Sequence, residues 1–211
     1  MWYQVTFMIK VIEDFLPEDI QNNLEELMKN EVYFPWFFNS KTAGYKVHSN
    51  YNTIETPQLV HQFMRYGQPS SGYFKDAFAV IEHLQKQVDF KIPKKKAFED
   101  WLMPEWDRIK GNCLFPYNNY KEYNFHPVHQ DKDKGDKCYT FLYYVNDSDG
   151  DTRFWSDDDG VPNMHRAPTF RYTPKKGTGV LFPSEAWHSS SNPISSEYRM
   201  VINYVFQPID K

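Results

Sequence analysis

The chain has 211 residues, with 24 Lys+Arg against 28 Asp+Glu and a net charge of −4. That length is roughly one domain and can bury a core without disulfide staples, while the acidic balance argues against nucleic acid as the main partner. Aromatic residues make up 18% of the chain at a mean hydropathy of −0.73, which excludes a disordered polymer and implies a bulky core under a polar surface. Two cysteines, Cys113 and Cys138, are too few for a disulfide scaffold or a Cys-rich zinc site. No apolar run approaches the ~20 residues of a membrane span. Residues 1–8 lack the basic-then-apolar order of a signal peptide. The expectation is a soluble, cytoplasmic protein with no membrane partner, Met8 being an alternative natural start.

Taken along the chain, the first element is a strand-like Ile9-Lys10-Val11-Ile12. Pro17 then opens a helix over Glu18 to Lys29, where Ile20, Leu24 and Leu27 fall on one face. The aromatic stretch Val32 to Phe38 reads as strand and loop packed under the core. A second helix runs from about Tyr73 to Val88, with Phe74, Phe78, Ile81 and Leu84 on one side. Lys94-Lys95-Lys96 reads as a solvated turn. Short β-rich runs follow: Ile109–Phe115, Phe125–Gln130, Cys138–Val145, Thr152–Trp155, Thr169–Thr173, Gly179–Pro183, Ala186–Ser190 and Tyr198–Phe206. Turn residues separate them, Asp157-Asp158-Asp159 before Gly160 among them as an exposed turn. The pattern predicts a mainly β, α+β chain with a jelly-roll sandwich or barrel. No composition shift marks a boundary. We expect a single domain over 1–211, with residues 1–100 as a helical and strand buttress and 105–207 as the β core.

Seven histidines are present, and two stand out by context. His129 and Asp131 are two apart, so on a strand they project to one face. His188 lies 59 residues on (188 − 129), in Ala186-Trp187-His188-Ser189. Two His and one carboxylate can occupy one face of an octahedral metal and leave positions open, as a non-haem Fe(II) oxygenase requires. His126, three before His129, would face the other way on a strand. Arg199 is eleven residues beyond His188, across the turn Ser191-Asn192-Pro193. An inward guanidinium there can fork onto a carboxylate.

These pieces resemble the 2-oxoglutarate/Fe(II)-dependent dioxygenases, and specifically their prolyl-hydroxylase-like branch. The similarity runs through His129-Gln130-Asp131, Leu142-Tyr143-Tyr144-Val145-Asn146 and Gly150-Asp151-Thr152-Arg153-Phe154. It continues through Gly179-Val180-Leu181-Phe182-Pro183, Trp187-His188-Ser189, Tyr198-Arg199 and Asn203-Tyr204. The resemblance implies a double-stranded β-helix in which His129, Asp131 and His188 bind Fe(II) and Arg199 pairs with the distal carboxylate of 2-oxoglutarate. It gives Tyr144 a part in holding that carboxylate. Thr140 shares a face with Tyr144 and is a second candidate. The implied reaction consumes O₂ and 2-oxoglutarate, releases succinate and CO₂, and hydroxylates a C–H bond of a prolyl-type peptide side chain or a small metabolite. Asp131 favours hydroxylation over halogenation, because a halide needs the coordination position that the carboxylate fills. Two departures stand out. Val201 replaces a small hydroxyl residue two after the arginine, and Gly150-Asp151 replaces a doubled glycine, which is expected to alter only a turn.

Asn112, Tyr117, Asn118, Tyr120, Tyr123, Arg153 and Trp155 are candidates for a substrate mouth. Two other functions compete. One is a non-catalytic jelly-roll binding module, which should have lost a ligand or the arginine. The other is a cupin metalloenzyme without 2-oxoglutarate, which has no use for Arg199. Peptide and metabolite substrates stay open, as does oligomeric state.

Overall fold

The computed structural model describes residues 9–30, 32–43, 47–93 and 105–209. Met8 and the Lys94–Lys96 run lie outside them. β1 (Lys10–Ile12) leads into α1 (Glu18–Lys29), whose bounds match the sequence pattern. Pro17 caps it, Glu18 and Asp19 sit in the first turn where the helix dipole favours acid, and Leu24 and Met28 are buried. β2 (Phe37–Asn39) follows, then β3 (Gln58–Arg65) and β4 (Gln68–Pro69). The aromatic stretch behaves unevenly: Phe34 is buried, whereas Phe37 and Phe38 are exposed on β2. α2 covers Phe74–Leu84, ending short of Val88 in a 3₁₀ turn. There the Gln85 side chain bonds the backbone of Phe90 and Ile92 and turns the chain away.

The second half contains β5 (Trp106–Leu114), β6 (Tyr139–Tyr144), β7 (Thr152–Phe154), β8 (Asp157–Asp158) and β9 (Val161–Pro162). β10 (Phe170–Tyr172), β11 (Gly179–Pro183), β12 (His188–Ser190) and β13 (Arg199–Phe206) complete it. One antiparallel sheet has the order β1-β11-β6-β13-β5-β3-β2, with β4 on β3, and a smaller one the order β10-β7-β12. The expected turn at Asp157–Gly160 is the tip of the β8–β9 hairpin, with Asp159 and Gly160 at positive φ. Among the described residues the sheets do not close into a barrel, so the jelly roll is a sandwich of two open sheets. Among the described residues, no helix is long and apolar enough to cross a membrane.

The expected strand Phe125–Gln130 is an extended segment held by isolated bridges, including His48↔Val128 and His129↔His188. Pro127 has no N–H to give a ladder, which explains the interruption.

Alternation on β13 and β6 divides the interior. Met200, Ile202, Tyr204 and Phe206, with Phe141 and Tyr143, enter the main core beside α1 and α2. Leu142, Tyr144 and Val201 face the other way, into a smaller cluster with Phe154, Val180 and Phe182. A strand buried on both faces needs this double apolar pattern. Tyr204 donates from its hydroxyl to Ala77 O on α2 at 2.7 Å, which satisfies the one polar atom it carries into the core. The helices thus hold the large sheet from behind, and the inner face is free for polar chemistry.

Candidate active site

His129 and His188 exchange backbone hydrogen bonds, each N–H to the other's carbonyl at 2.9 Å. An antiparallel pair of this kind sends both side chains to one face, and the rings lie 4.5 Å apart between centroids. Asp131 N–H donates to Ser184 O, which brings the carboxylate to the same place. Ligand atoms of His129, Asp131 and His188 all lie within 4.8 Å of one another. His188 Nε2 is 3.6 Å from Asp131 Oδ2.

Each imidazole is oriented by a carbonyl. His129 Nδ1 meets Pro127 O at 3.2 Å, and His188 Nδ1 meets Ala186 O at 2.9 Å. A carbonyl only accepts, so both Nδ1 atoms carry the proton, and both Nε2 lone pairs face the shared space. Burial, reinforced by His188 alongside, pushes the His129 pKa down to about 3, so the ring is neutral at working pH. Burial opposes ionisation of Asp131, yet the Arg108 guanidinium, the neighbouring His188 and His129 and the Thr140 hydroxyl together outweigh it, and the carboxyl lies well below its ordinary range. Two imidazoles and one carboxylate are a donor set that fits a divalent transition metal such as Fe(II).

The sequence-derived residues fall into distinct positions. Arg199, buried on the first residue of β13, lines the cavity that holds the triad. Its Nε donates to Gly150 O at 2.6 Å and its Nη2 to Thr152 Oγ1 at 2.8 Å. Tyr144 lies behind this pair and donates to Thr152 Oγ1 at 2.8 Å. Thr140 donates to Asp131 Oδ2 at 2.8 Å, beside the triad and away from Arg199. His126 is buried, and its ring nitrogens meet the hydroxyls of Thr56 and Ser190. Asn112 lines the cavity, whereas Tyr123, Arg153 and Trp155 line a separate cleft beside Arg171. Tyr117 is exposed and Tyr120 buried.

Both family departures acquire a physical account. Val201 is apolar wall, and the hydroxyl beside Arg199 comes instead from Thr152 on the other sheet. Asp151 does more than alter a turn. Buried at 1% exposure, it accepts from Thr173 Oγ1 at 2.8 Å and pairs with Arg171, locking β7 to β10. Gly150 cannot be replaced freely, since a Cβ would stand 2.6 Å from Ser191 O and 2.9 Å from Arg199 Cδ. Gly150→Ala is expected to displace Arg199, costing about 1–3 kcal/mol in a urea titration and weakening 2-oxoglutarate binding.

Residues outside the sequence-derived set complete the cavity. Arg108 and Lys110 line it from β5 and Asn203 from β13, with Gln58 and Thr42 nearby. Arg108 pairs directly with Asp131. The alternation Arg108, Lys110, Asn112 against Ile109, Gly111, Cys113 was the available signal.

The comparisons agree with this geometry. A sequence profile of the 2OG-Fe(II) oxygenase superfamily matches residues 115–207. No curated protein sequence matches the chain. Among solved structures, a prolyl-4-hydroxylase of Pseudomonas putida superposes at TM-score 0.52 and 16% identity, over 96% of this chain and 94% of that one. A 2OG-Fe(II) oxygenase family oxidoreductase from Burkholderia pseudomallei gives TM-score 0.60 and 11% identity, over 98% and 87%. A Trichoplax adhaerens prolyl hydroxylase, in complex with a hypoxia inducible factor oxygen degradation domain peptide fragment, gives 0.55 and 16%, over 94% and 83%. At these identities the likeness is one of fold. The sequence match is confined to the β core: residues 115–207 resemble the 2OG-Fe(II) oxygenase superfamily, whose enzymes work with Fe(II), 2-oxoglutarate and O₂.

Proposed function

We propose that the chain hydroxylates a C–H bond of a peptide side chain or a small metabolite, with His129, Asp131 and His188 holding Fe(II) and Arg199 binding 2-oxoglutarate. The observation that carries this is the sharing of one cavity by the ligand triad and a buried arginine. Bound together, Fe(II), 2-oxoglutarate and O₂ would supply the oxidising power, one oxygen atom of O₂ going to succinate and the other to the hydroxyl group, with CO₂ released.

The protein's part is orientation and exclusion of water. The two carbonyl-anchored imidazoles present fixed lone pairs. Thr140 and Asn203 hold Asp131 Oδ2, so the carboxylate cannot swing out. Arg199 keeps Nη1 for a carboxylate while its other nitrogens are tied to Gly150 and Thr152. Leu142 and Val201 form an apolar wall that strengthens the pairing by keeping water away. Asp131 fills the position a halide would need, which supports hydroxylation. The prolyl hydroxylase fold neighbour in complex with a peptide fragment supports a peptide substrate; the cavity supports a small one equally well. We also propose that residues 1–211 act as one domain, because α1, α2 and the large sheet share a core.

The test is anaerobic reconstitution with Fe(II), then measurement of succinate from 2-oxoglutarate in air. Iron-dependent succinate is expected. A protein that binds Fe(II) yet forms none would return the choice to a binding module or a cupin without 2-oxoglutarate. Thr140→Val is expected to lower Fe(II) affinity about 10–100-fold in a metal titration, because an outer partner of a ligand is lost. Unchanged affinity would remove Thr140 from the site.

A further inference from the structure

We propose that Arg108 and Lys110 form a second anion-binding position in the same cavity, so that the substrate is one carrying a carboxylate. This rests on the oxygenase reading of the site and adds the class of substrate to it.

β5 pairs with β13 in the register Arg199↔Leu114, Asn203↔Lys110 and Val205↔Arg108. Arg199 and Lys110 are therefore separated by four residues of ladder, about 13 Å at ~3.3 Å per residue. Asp131 meets Asn203 and Arg108, so the triad lies toward the Lys110 end. A co-substrate carboxylate at Arg199 leaves the opposite end of the cavity to another molecule. That end is lined by cations.

Their charges are not used up within the protein. The Lys110 ammonium has no hydrogen bond or ion pair among the described residues. Arg108 gives one amino group to Asp131, its other lies 4.0 Å from Asp107, a carboxylate held more closely by Lys132 at 2.7 Å, and its buried Nε has no partner. Burial, with Arg108 beside it, lowers the Lys110 pKa to about 8, against the opposing pull of Asp131. Lys110 also points inward by choice of strand face. Its neighbours Ile109 and Gly111 occupy the other face, against Met28 and Phe63. In the loaded enzyme, Fe(II) and dianionic 2-oxoglutarate balance, as do Arg199 and Asp131. Arg108 and Lys110 then leave two positive charges beside the position where substrate must lie. A desolvated cation is costly unless paired, and a carboxylate is the partner it prefers.

The experiment uses the full chain with Mn(II) and saturating 2-oxoglutarate under nitrogen, so that no turnover occurs. Calorimetry then compares acetyl-Ala-Glu-Ala-amide with acetyl-Ala-Gln-Ala-amide, and propionate with propionamide. We expect one acid site per chain, with the matching neutral compound at least about ten-fold weaker. Lys110→Met, which keeps a long apolar stem, should erase that preference. Which acid binds separates an acidic peptide from a free small acid. Equal binding within both pairs, or a preference that survives Lys110→Met, would overturn the proposal. The wild-type pairs decide alone if the variant does not fold. Failure of 2-oxoglutarate itself to bind would instead sink the underlying oxygenase site, a result read in the same titration before any probe is added.

Discussion

Asp131→Ala is expected to lower Fe(II) affinity by at least about 100-fold and to abolish succinate formation. Losing an outer-shell partner of a metal ligand already costs about 10–100-fold, and Asp131 is the anionic member of the set. It is also the point where Arg108, Thr140 and Asn203 converge. Without it, two imidazoles and an uncompensated guanidinium would face a divalent cation. Arg108 would then repel a metal that, in the intact site, it would help to organise by orienting a carboxylate. This gives a sharper form of the expectation. Asp131→Ala combined with Arg108→Ala should bind Fe(II) better than Asp131→Ala alone, although far below wild type. Metal titration of the two variants measures the difference. Equal affinities would mean that Arg108 lies outside the field of the metal, and wild-type succinate formation in Asp131→Ala would end the ligand assignment.

The contrast between what could and could not be read in the sequence follows from the range of the interactions. α1 was legible to its bounds, because Pro17 and a four-residue apolar spacing are local signals. The triad was legible because a two-residue spacing and one tryptophan-flanked histidine need no knowledge of partners. β3 was not read as a strand. Gln58, His61 and Gln62 interrupt its apolar pattern, and its ladder is made with β5, far along the chain. His61 is tolerated in that core because its two nitrogens meet Pro35 O and Ser71 Oγ. Phe125–Gln130 carried strand-like residues but also Pro127, and the missing N–H outweighed the pattern. Arg108 and Lys110 were hidden by a sound rule, since alternating charges on a strand usually face water. Here the polar face lines the cavity between sheets. The partnership of Thr152 with Arg199 was equally invisible, because it exists only when β7 is laid across β13.

Arg199→Met is expected to weaken 2-oxoglutarate binding by at least about 100-fold while leaving the stability of the ligand-free protein nearly unchanged. The two halves of this expectation come from the same environment. Arg199 is 2% exposed, and burial lowers its pKa from the usual arginine value, with Tyr144 and Asp151 opposing the change. Its bonds go to a carbonyl and a hydroxyl, and no carboxylate lies within ion-pair distance of it among the described residues. Keeping a cation in such a place costs several kcal/mol of desolvation, which the two hydrogen bonds only partly offset. Methionine removes that penalty and fills the space, while Gly150 O loses a partner at about 1–3 kcal/mol. Thr152 retains Tyr144. These opposing changes leave a small net effect on folding. The functional change is large, because a dianion loses the one buried guanidinium placed to fork onto it. Ligand-induced stabilisation separates the two. At 100 times its dissociation constant, 2-oxoglutarate should add about 2.7 kcal/mol to the wild-type protein and almost nothing to the variant at the same concentration. A variant that loses several kcal/mol without ligand, yet still gains the wild-type increment with it, would show Arg199 to be a structural residue and move the co-substrate carboxylate elsewhere in the cavity.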